Sequence, residues 1–335
     1  MSGVSFTPGL PRIGGTPMLP ALPPWLAYCQ GNSWFVNPRQ GSDTTKSGKR
    51  PAEAFATLAK ALSKCVAKQN DIVYLLSSGV AKGDTTDEQA ATLAWNLDNT
   101  HLIGVNSGVR ISPRSRIAFT DAYAVASNLL TVSASSCYFS GLLTVVEVAS
   151  TLPTGGVKVT GARNRFERCH FAGYVAAAND IAAAYALKLD GAEENEFENC
   201  VIGTFTLGRG AQLNSQILFD GAAKENLFEN CRIVSQVSHA TNHVLVEVAD
   251  ATGIDAFNYF DRCKFLYQSA NYAVGATGVC RLPALTQGYL LMDECVTCSD
   301  KSSVTIKWDV NDRDRIIVMN SPTPAADTCG VGRLV

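Results

Sequence analysis

Between Asn164 and Cys263 one phrase is written four times: NRFERCHF from Asn164, NEFENCVI from Asn195, NLFENCRI from Asn226 and NYFDRCKF from Asn258. The asparagines are 31, 31 and 32 residues apart, and two further columns keep the same step. These are Phe166, Phe197, Phe228 and Phe260, and Cys169, Cys200, Cys231 and Cys263. The cysteine column continues to Cys137 upstream and Cys295 downstream, each 32 residues away. A fixed period of this length marks a repeat architecture.

Within each phrase the apolar residues stand two apart, as in a strand, with no 3.6-residue period. A second apolar run precedes each phrase: VKV at Val157, LKL at Leu187, ILF at Ile217 and VEV at Val246. Such short runs, separated by Gly, Asn, Asp and Ala, bury little alone. Stacked in register on their neighbours they bury each other. The period therefore predicts an all-β chain wound as a single-stranded, right-handed parallel β-helix, with rungs ~4.8 Å apart. Equivalent residues then form columns. An asparagine column at a bend can bond the rungs above and below through its amides, while Phe and Cys fill the interior. Fully extended, one period would span ~100 Å, so each rung also carries a projecting loop.

Composition agrees. The 335 residues are 46% hydrophobic and 17% charged, enough apolar material for a core. A net charge of −2 exerts no general pull on nucleic acid or an anionic membrane, so neither is expected as a partner. No apolar run is long enough to span a bilayer. Of eleven cysteines six lie in the column. There they act as small buried hydrophobes, and mostly free thiols are expected, with assembly in a reducing cytoplasm.

Residues 1–32 differ from the rest. Pro8 to Trp25 is dense in proline and glycine, which excludes a helix or a central strand and predicts an extended arm. Ile13, Met18, Leu19, Leu22 and Trp25 give it more apolar surface than a solvated tail carries, so it is expected to order on a partner. The β-helix domain is expected over 33–335, with regular rungs over about 130–300. Phe55, Leu58, Leu62, Cys65 and Val66 form an apolar stripe that predicts a helix over about 52–67. Laid across the open end of the solenoid, it hides edge strands that would otherwise aggregate.

The order WFVNP from Trp34, GSD from Gly41, AFATLAKAL from Ala54, NDIVYLL from Asn70 and NTHLIGVN from Asn99 resembles the opening of phage-encoded right-handed β-helix proteins. These are tailspikes and related virion proteins of the pectate-lyase-like superfamily. The resemblance implies a virion component, assembled in the host cytoplasm, trimeric, and in contact with other capsid or tail proteins. That group includes both polysaccharide-cleaving spikes and non-enzymatic structural proteins. The long second domain that many tailspikes use for trimerisation or receptor binding is not expected after the solenoid.

The loops after the cysteine strands, GYVAAANDIAAAY, GTFTLGRGAQLNS, SQVSHATNHV and YQSANYAVGATG, leave one side of the solenoid because the pitch is constant. With Tyr174, Phe205 and Tyr272 expected on its surface, this lateral face suits a neighbouring subunit. The strongest chemical candidate is the carboxylate column two residues before each cysteine: Glu167, Glu198, Glu229, Asp261 and Asp293. Glycoside hydrolysis needs two carboxyls ~5–9 Å apart, which stacked rungs could supply. A column that recurs in every unit instead fits a turn position, because an active site should break the repeat. Cys295 and Cys298 form a CxxC without a second pair, and His239 and His243 lack the HExxH glutamate, so no metal site, cofactor or catalytic residue is assigned. Two functional classes remain. The first is a non-enzymatic virion structural protein, a capsid decoration or cement protein or a spike, attached through its arm. The second is a tailspike-like protein that binds or depolymerises a host surface polysaccharide.

Overall fold

The computed structural model describes residues 12–13, 16–17, 31–77, 86–105, 109–120, 127–148, 151, 154–209, 212–238, 242–269, 278–299, 307–311 and 314–321. The solenoid is built from three parallel sheets, one of ten strands and two of eight. One coil takes one strand from each, for example Arg165–Glu167, His170–Tyr174 and Tyr185–Asp190. The first sheet runs from Ser33–Val36 to Ile316–Met319, the second from Thr86–Gln89 to Val296–Ser299, and the third from Leu93–Trp95 to Lys307–Asp309.

The register is the one the repeat predicts. Phe139, Phe166, Phe197, Phe228 and Phe260 pair in succession along the first sheet. Their rings stack inside, nearly parallel, with centroids 4.7, 4.8, 4.6 and 4.6 Å apart, which is the spacing of strands in a sheet. Met292 continues the column beyond Phe260. The six column cysteines are free and buried beside the rings. Cys200, Cys231, Cys263 and Cys295 each aim Sγ at the carbonyl of the phenylalanine one coil back, at 3.1–3.3 Å, so the weak thiol donors are satisfied. Burial raises the Cys137 thiol to about 11, and holds Cys200 and Cys263 well above the ordinary value.

The asparagine column solves the polar side of the same problem. Asn164, Asn195, Asn226 and Asn258 are buried. The backbone N–H groups of Cys137, Asn164, Asn195 and Asn226 donate to the Oδ1 atoms of Asn164, Asn195, Asn226 and Asn258 in turn, at 2.9–3.3 Å. Each Nδ2 donates to a backbone carbonyl of the preceding coil, that of Ala134, Gly161, Ala192 or Ala223. The ladder stops at Leu290, which lies in register above Asn258.

The N-terminal end departs from expectation in one respect. The predicted helix over 52–67 is a 3-10 turn at Pro51–Glu53 and a short α-helix at Leu58–Leu62. Phe55 between them is held in the sheet: it bridges Val36, its N–H donates to the Phe35 carbonyl, and Asn37 N–H donates to the Phe55 carbonyl. A residue committed to a ladder cannot also sustain a helix. Leu58, Ala61 and Leu62 still turn inward and close the end of the core.

Candidate functional site

The tight corner between the first and second sheets places the carboxylate column. Immediately after each carboxylate stands a residue with positive φ: Arg168 (54°), Asn199 (54°), Asn230 (49°), Arg262 (52°) and Glu294 (49°). A left-handed residue reverses the chain in one step, and a side chain there is uncommon outside Asn and Asp. The strain is held in place between coils. The N–H of Arg168, Asn199, Asn230 and Arg262 donates to the backbone carbonyl of Glu198, Glu229, Asp261 and Asp293 on the next coil, at 2.9–3.0 Å. The column is thus a corner position in register throughout.

Its carboxylates are also committed. Glu167 accepts from the Tyr138 hydroxyl at 2.7 Å, and Glu198 is paired with Arg165, which also reaches Glu196 at 3.4 Å. Arg262 bridges Glu229 and Asp261, and Asp293 accepts from Asn320 Nδ2 at 3.0 Å. Retaining or inverting hydrolysis requires one protonated and one ionised carboxyl facing a sugar. This column offers cations and hydroxyls bound along a half-exposed face, which is inter-coil bonding.

The loop corner between the second and third sheets differs from expectation. Tyr174 is 0% exposed, a correction to its place on the lateral surface. It ends the strand His170–Tyr174, which runs past a bend at Gly173 (φ +65°), so the residue lies in the sheet rather than in the loop. Fully buried Arg209 covers its ring at 5.0 Å and donates to its carbonyl at 3.1 Å. Burial lowers the Arg209 guanidinium to about 10. Phe205 is 39% exposed, in the bulge where the pairing of Val201–Arg209 with Arg232–Val237 skips from Thr204 to Gly208. Tyr272 lies outside the described residues.

In the arm, Arg12–Ile13 pairs antiparallel with Thr16–Pro17. Met18, Leu19, Leu22 and Trp25 lie outside the described residues. His239 does too, whereas His243 is buried with Nδ1 2.6 Å from Asn214 Oδ1. Burial first, then Arg209 and Arg281, keeps that imidazole neutral. Cys298 is disulfide-bonded, unlike the column thiols. Among the described residues no group of three His, Cys, Asp or Glu side chains could hold a metal, and no helix is long and apolar enough to cross a membrane.

Sequence reasoning missed two features of the N-terminal end. A groove of ≈ 700 Å³ runs between the short helix and the turn joining Thr86–Gln89 to Leu93–Trp95, with Leu62, Cys65, Glu88 and Asn96 in its walls. A second cavity of ≈ 410 Å³ is lined by Trp34, Asp43, Phe55 and four lysines. Only the Lys/Ser/Asp density of the stretch after Gly41 hinted at the latter.

No family model and no curated protein matches the sequence. Solved structures do. A pectin methylesterase mutant in complex with a hexasaccharide is 17% identical, with a TM-score of 0.50 over 79% of this chain and 78% of that one. A pectate lyase is 12% identical, with a TM-score of 0.43 over 85% and 82% of the two chains. Tailspike protein 2 from Escherichia coli O157:H7 bacteriophage CAB120 is 7% identical, with a TM-score of 0.34 over 74% of this chain and 40% of that one. The likeness to the pectin methylesterase is one of fold, a parallel β-helix.

Proposed function

We propose that this chain is a non-enzymatic structural subunit of a phage particle, a decoration or spike protein, present as a trimer and attached through residues 1–32. One observation carries the non-enzymatic part. The carboxylates a hydrolase would need recur on five consecutive coils, and each is held by a cation, a hydroxyl or an amide. The phage setting is supported by the opening from Trp34 to Asn106, which resembles virion β-helix proteins. Apolar Ile13, Met18, Leu19, Leu22 and Trp25 would serve as anchors, each worth ~1.5–3 kcal/mol when fully desolvated.

A second reading, binding or cleavage of a host surface polysaccharide, is favoured by one surface. Phe257 and Tyr289 stack at 5.7 Å with Tyr259 alongside, and Phe257 and Tyr259 are exposed near the C-terminal end of the first sheet. The test is electron microscopy of particles decorated with the full chain or with a chain lacking residues 2–27. The full chain should attach and the shortened chain should fold but stay free. Attachment of the shortened chain would move the anchor to the β-helix. Release of reducing sugar or unsaturated ends from host polysaccharide by the purified chain would overturn the non-enzymatic reading.

A further inference from the structure

We propose that the N-terminal end of the solenoid carries a docking pocket for an acidic peptide segment, built on Lys46, Lys49, Lys60 and Lys64. These four lysines line the ≈ 410 Å³ cavity with a single acidic residue, Asp43; Lys46 Nζ donates to the Gln40 carbonyl, an uncharged partner that leaves its charge unbalanced. The whole chain, by contrast, balances 28 Lys and Arg against 30 Asp and Glu. Asp43 is already engaged, since its oxygens accept from Ala56 N–H at 2.7 Å, Thr57 N–H at 3.2 Å and the Thr57 hydroxyl at 2.7 Å. Lys60 and Lys64 have no side-chain partner among the described residues, and their charge is left for something else to neutralise. Clustered charge of one sign steers an oppositely charged partner and fixes its register.

The geometry separates carboxylate on a peptide from its competitors. Backbone amides at the start of the short helix would be the natural seat for a phosphate, but Asp43 fills those of Ala56 and Thr57, and Asp87 accepts from Leu58 N–H at 3.3 Å. An acidic sugar would stack on an open aromatic face. The Trp34 face is already taken, because Lys49 Nζ sits 3.6 Å from the ring centroid. What remains is a set of separated ammonium groups, suited to several carboxylates spaced along a flexible chain. Lys49 also donates to Asn32 Oδ1 at 3.1 Å, which places the pocket where the arm joins the solenoid. That the acidic segment belongs to a particle protein rests on the function proposed above. The preference for carboxylates does not.

The test is fluorescence anisotropy of a labelled hexaglutamate peptide titrated with the full chain at low ionic strength. Binding should weaken as salt approaches ~0.15 M, where the screening length falls to ~8 Å. The double variant Lys60→Glu/Lys64→Glu should bind at least tenfold more weakly, with an unchanged thermal midpoint. If the charge reversal fails to fold, Lys60→Gln/Lys64→Gln serves the same purpose and should also bind more weakly. Equal binding by a folded variant overturns the pocket. Displacement of the label by inorganic phosphate or by oligogalacturonate at lower concentration than by unlabelled hexaglutamate overturns the assignment to peptide carboxylates. A chain that binds hexaglutamate through these lysines but is absent from particles would instead remove the proposed function and leave the pocket standing.

Discussion

The regular coils and the coils beneath the N-terminal cap face the same task and solve it with different chemistry. Between Asn164 and Cys263 the buried corner before each first-sheet strand is occupied by copies of one neutral residue, each satisfied by the next copy and the neighbouring backbone. Beneath the cap three of the buried polar groups, Asp71, Asp87 and His101, are singular and ionisable. Asp71 accepts from Asn32 and Val66, Asp87 from Leu58 and Gln89, and His101 meets Asn70 and the N–H of Tyr138. Repetition allows an uncharged solution because the partner needed is always the same group one step away. Where the repeat breaks, no identical neighbour is at hand and side chains of differing charge are recruited. The asparagine column should therefore be indifferent to pH, whereas the capped end should be sensitive to it.

The largest expected effect lies in the regular coils. Phe197 is stacked on both faces, and Phe197→Ala should cost about 3–5 kcal/mol in urea denaturation. A loss below ~1 kcal/mol would mean that the coils can close over the gap, and the stack would not be the core.

Next comes pH. Burial lowers His101 from 6.5 to about 4, and raises Asp87 from 3.8 to about 7. The unfolded chain takes up a proton that folded His101 refuses between these values, so the contribution of His101 is complete above pH 6.5 and falls away towards pH 4. Asp87 acts oppositely: its contribution is complete below its unfolded value and declines as pH rises towards 7. Each shift corresponds to at most roughly 3–4 kcal/mol. Relative to the parent, His101→Gln should gain less stability as pH rises from 4 to 7, and Asp87→Asn should gain more over the same range. Denaturation midpoints across that range decide the matter, and parallel curves for the two variants would place the sensitivity elsewhere.

A smaller effect should follow from Cys200→Ser, about 1–2 kcal/mol. The Phe166 carbonyl is available, but a shorter C–O bond draws the hydroxyl away from it. A fully neutral result would show that the thiol column is packing alone. Smallest should be Arg163→Gln. It breaks an exposed pair with Glu194 and should change the midpoint by less than ~1 kcal/mol, since such pairs are screened.

The same contrast explains what could be read in the sequence. The Asn, Phe and Cys columns were legible because each residue meets its own copy, so spacing alone gives the contact. At the capped end, Phe55 fits a helical stripe by spacing, yet its backbone is taken by Phe35 and Asn37, a contact across 18 or more residues that no local pattern shows. Tyr174 was misplaced for a related reason. Its position after a glycine in an Ala-rich stretch looks like a loop, whereas the second-sheet strand continues through Gly173 and Arg209 arrives over the ring from the next coil. The lysine pocket draws on residues spread from Trp34 to Lys64, gathered only when the helix folds back on the first strand.

The asparagine ladder makes the molecule a ruler with interchangeable graduations. Every Oδ1 from Asn164 to Asn258 receives a bond from the coil before it, and the direction never reverses. Removing residues 195–225 would bring Asn226 to the place where Asn195 now sits above Asn164, with the same donors and acceptors on either side. The body would shorten by one graduation of ~4.8 Å and the ladder itself would run unbroken. Length in such a chain is a countable quantity, adjustable one coil at a time without redesigning either end.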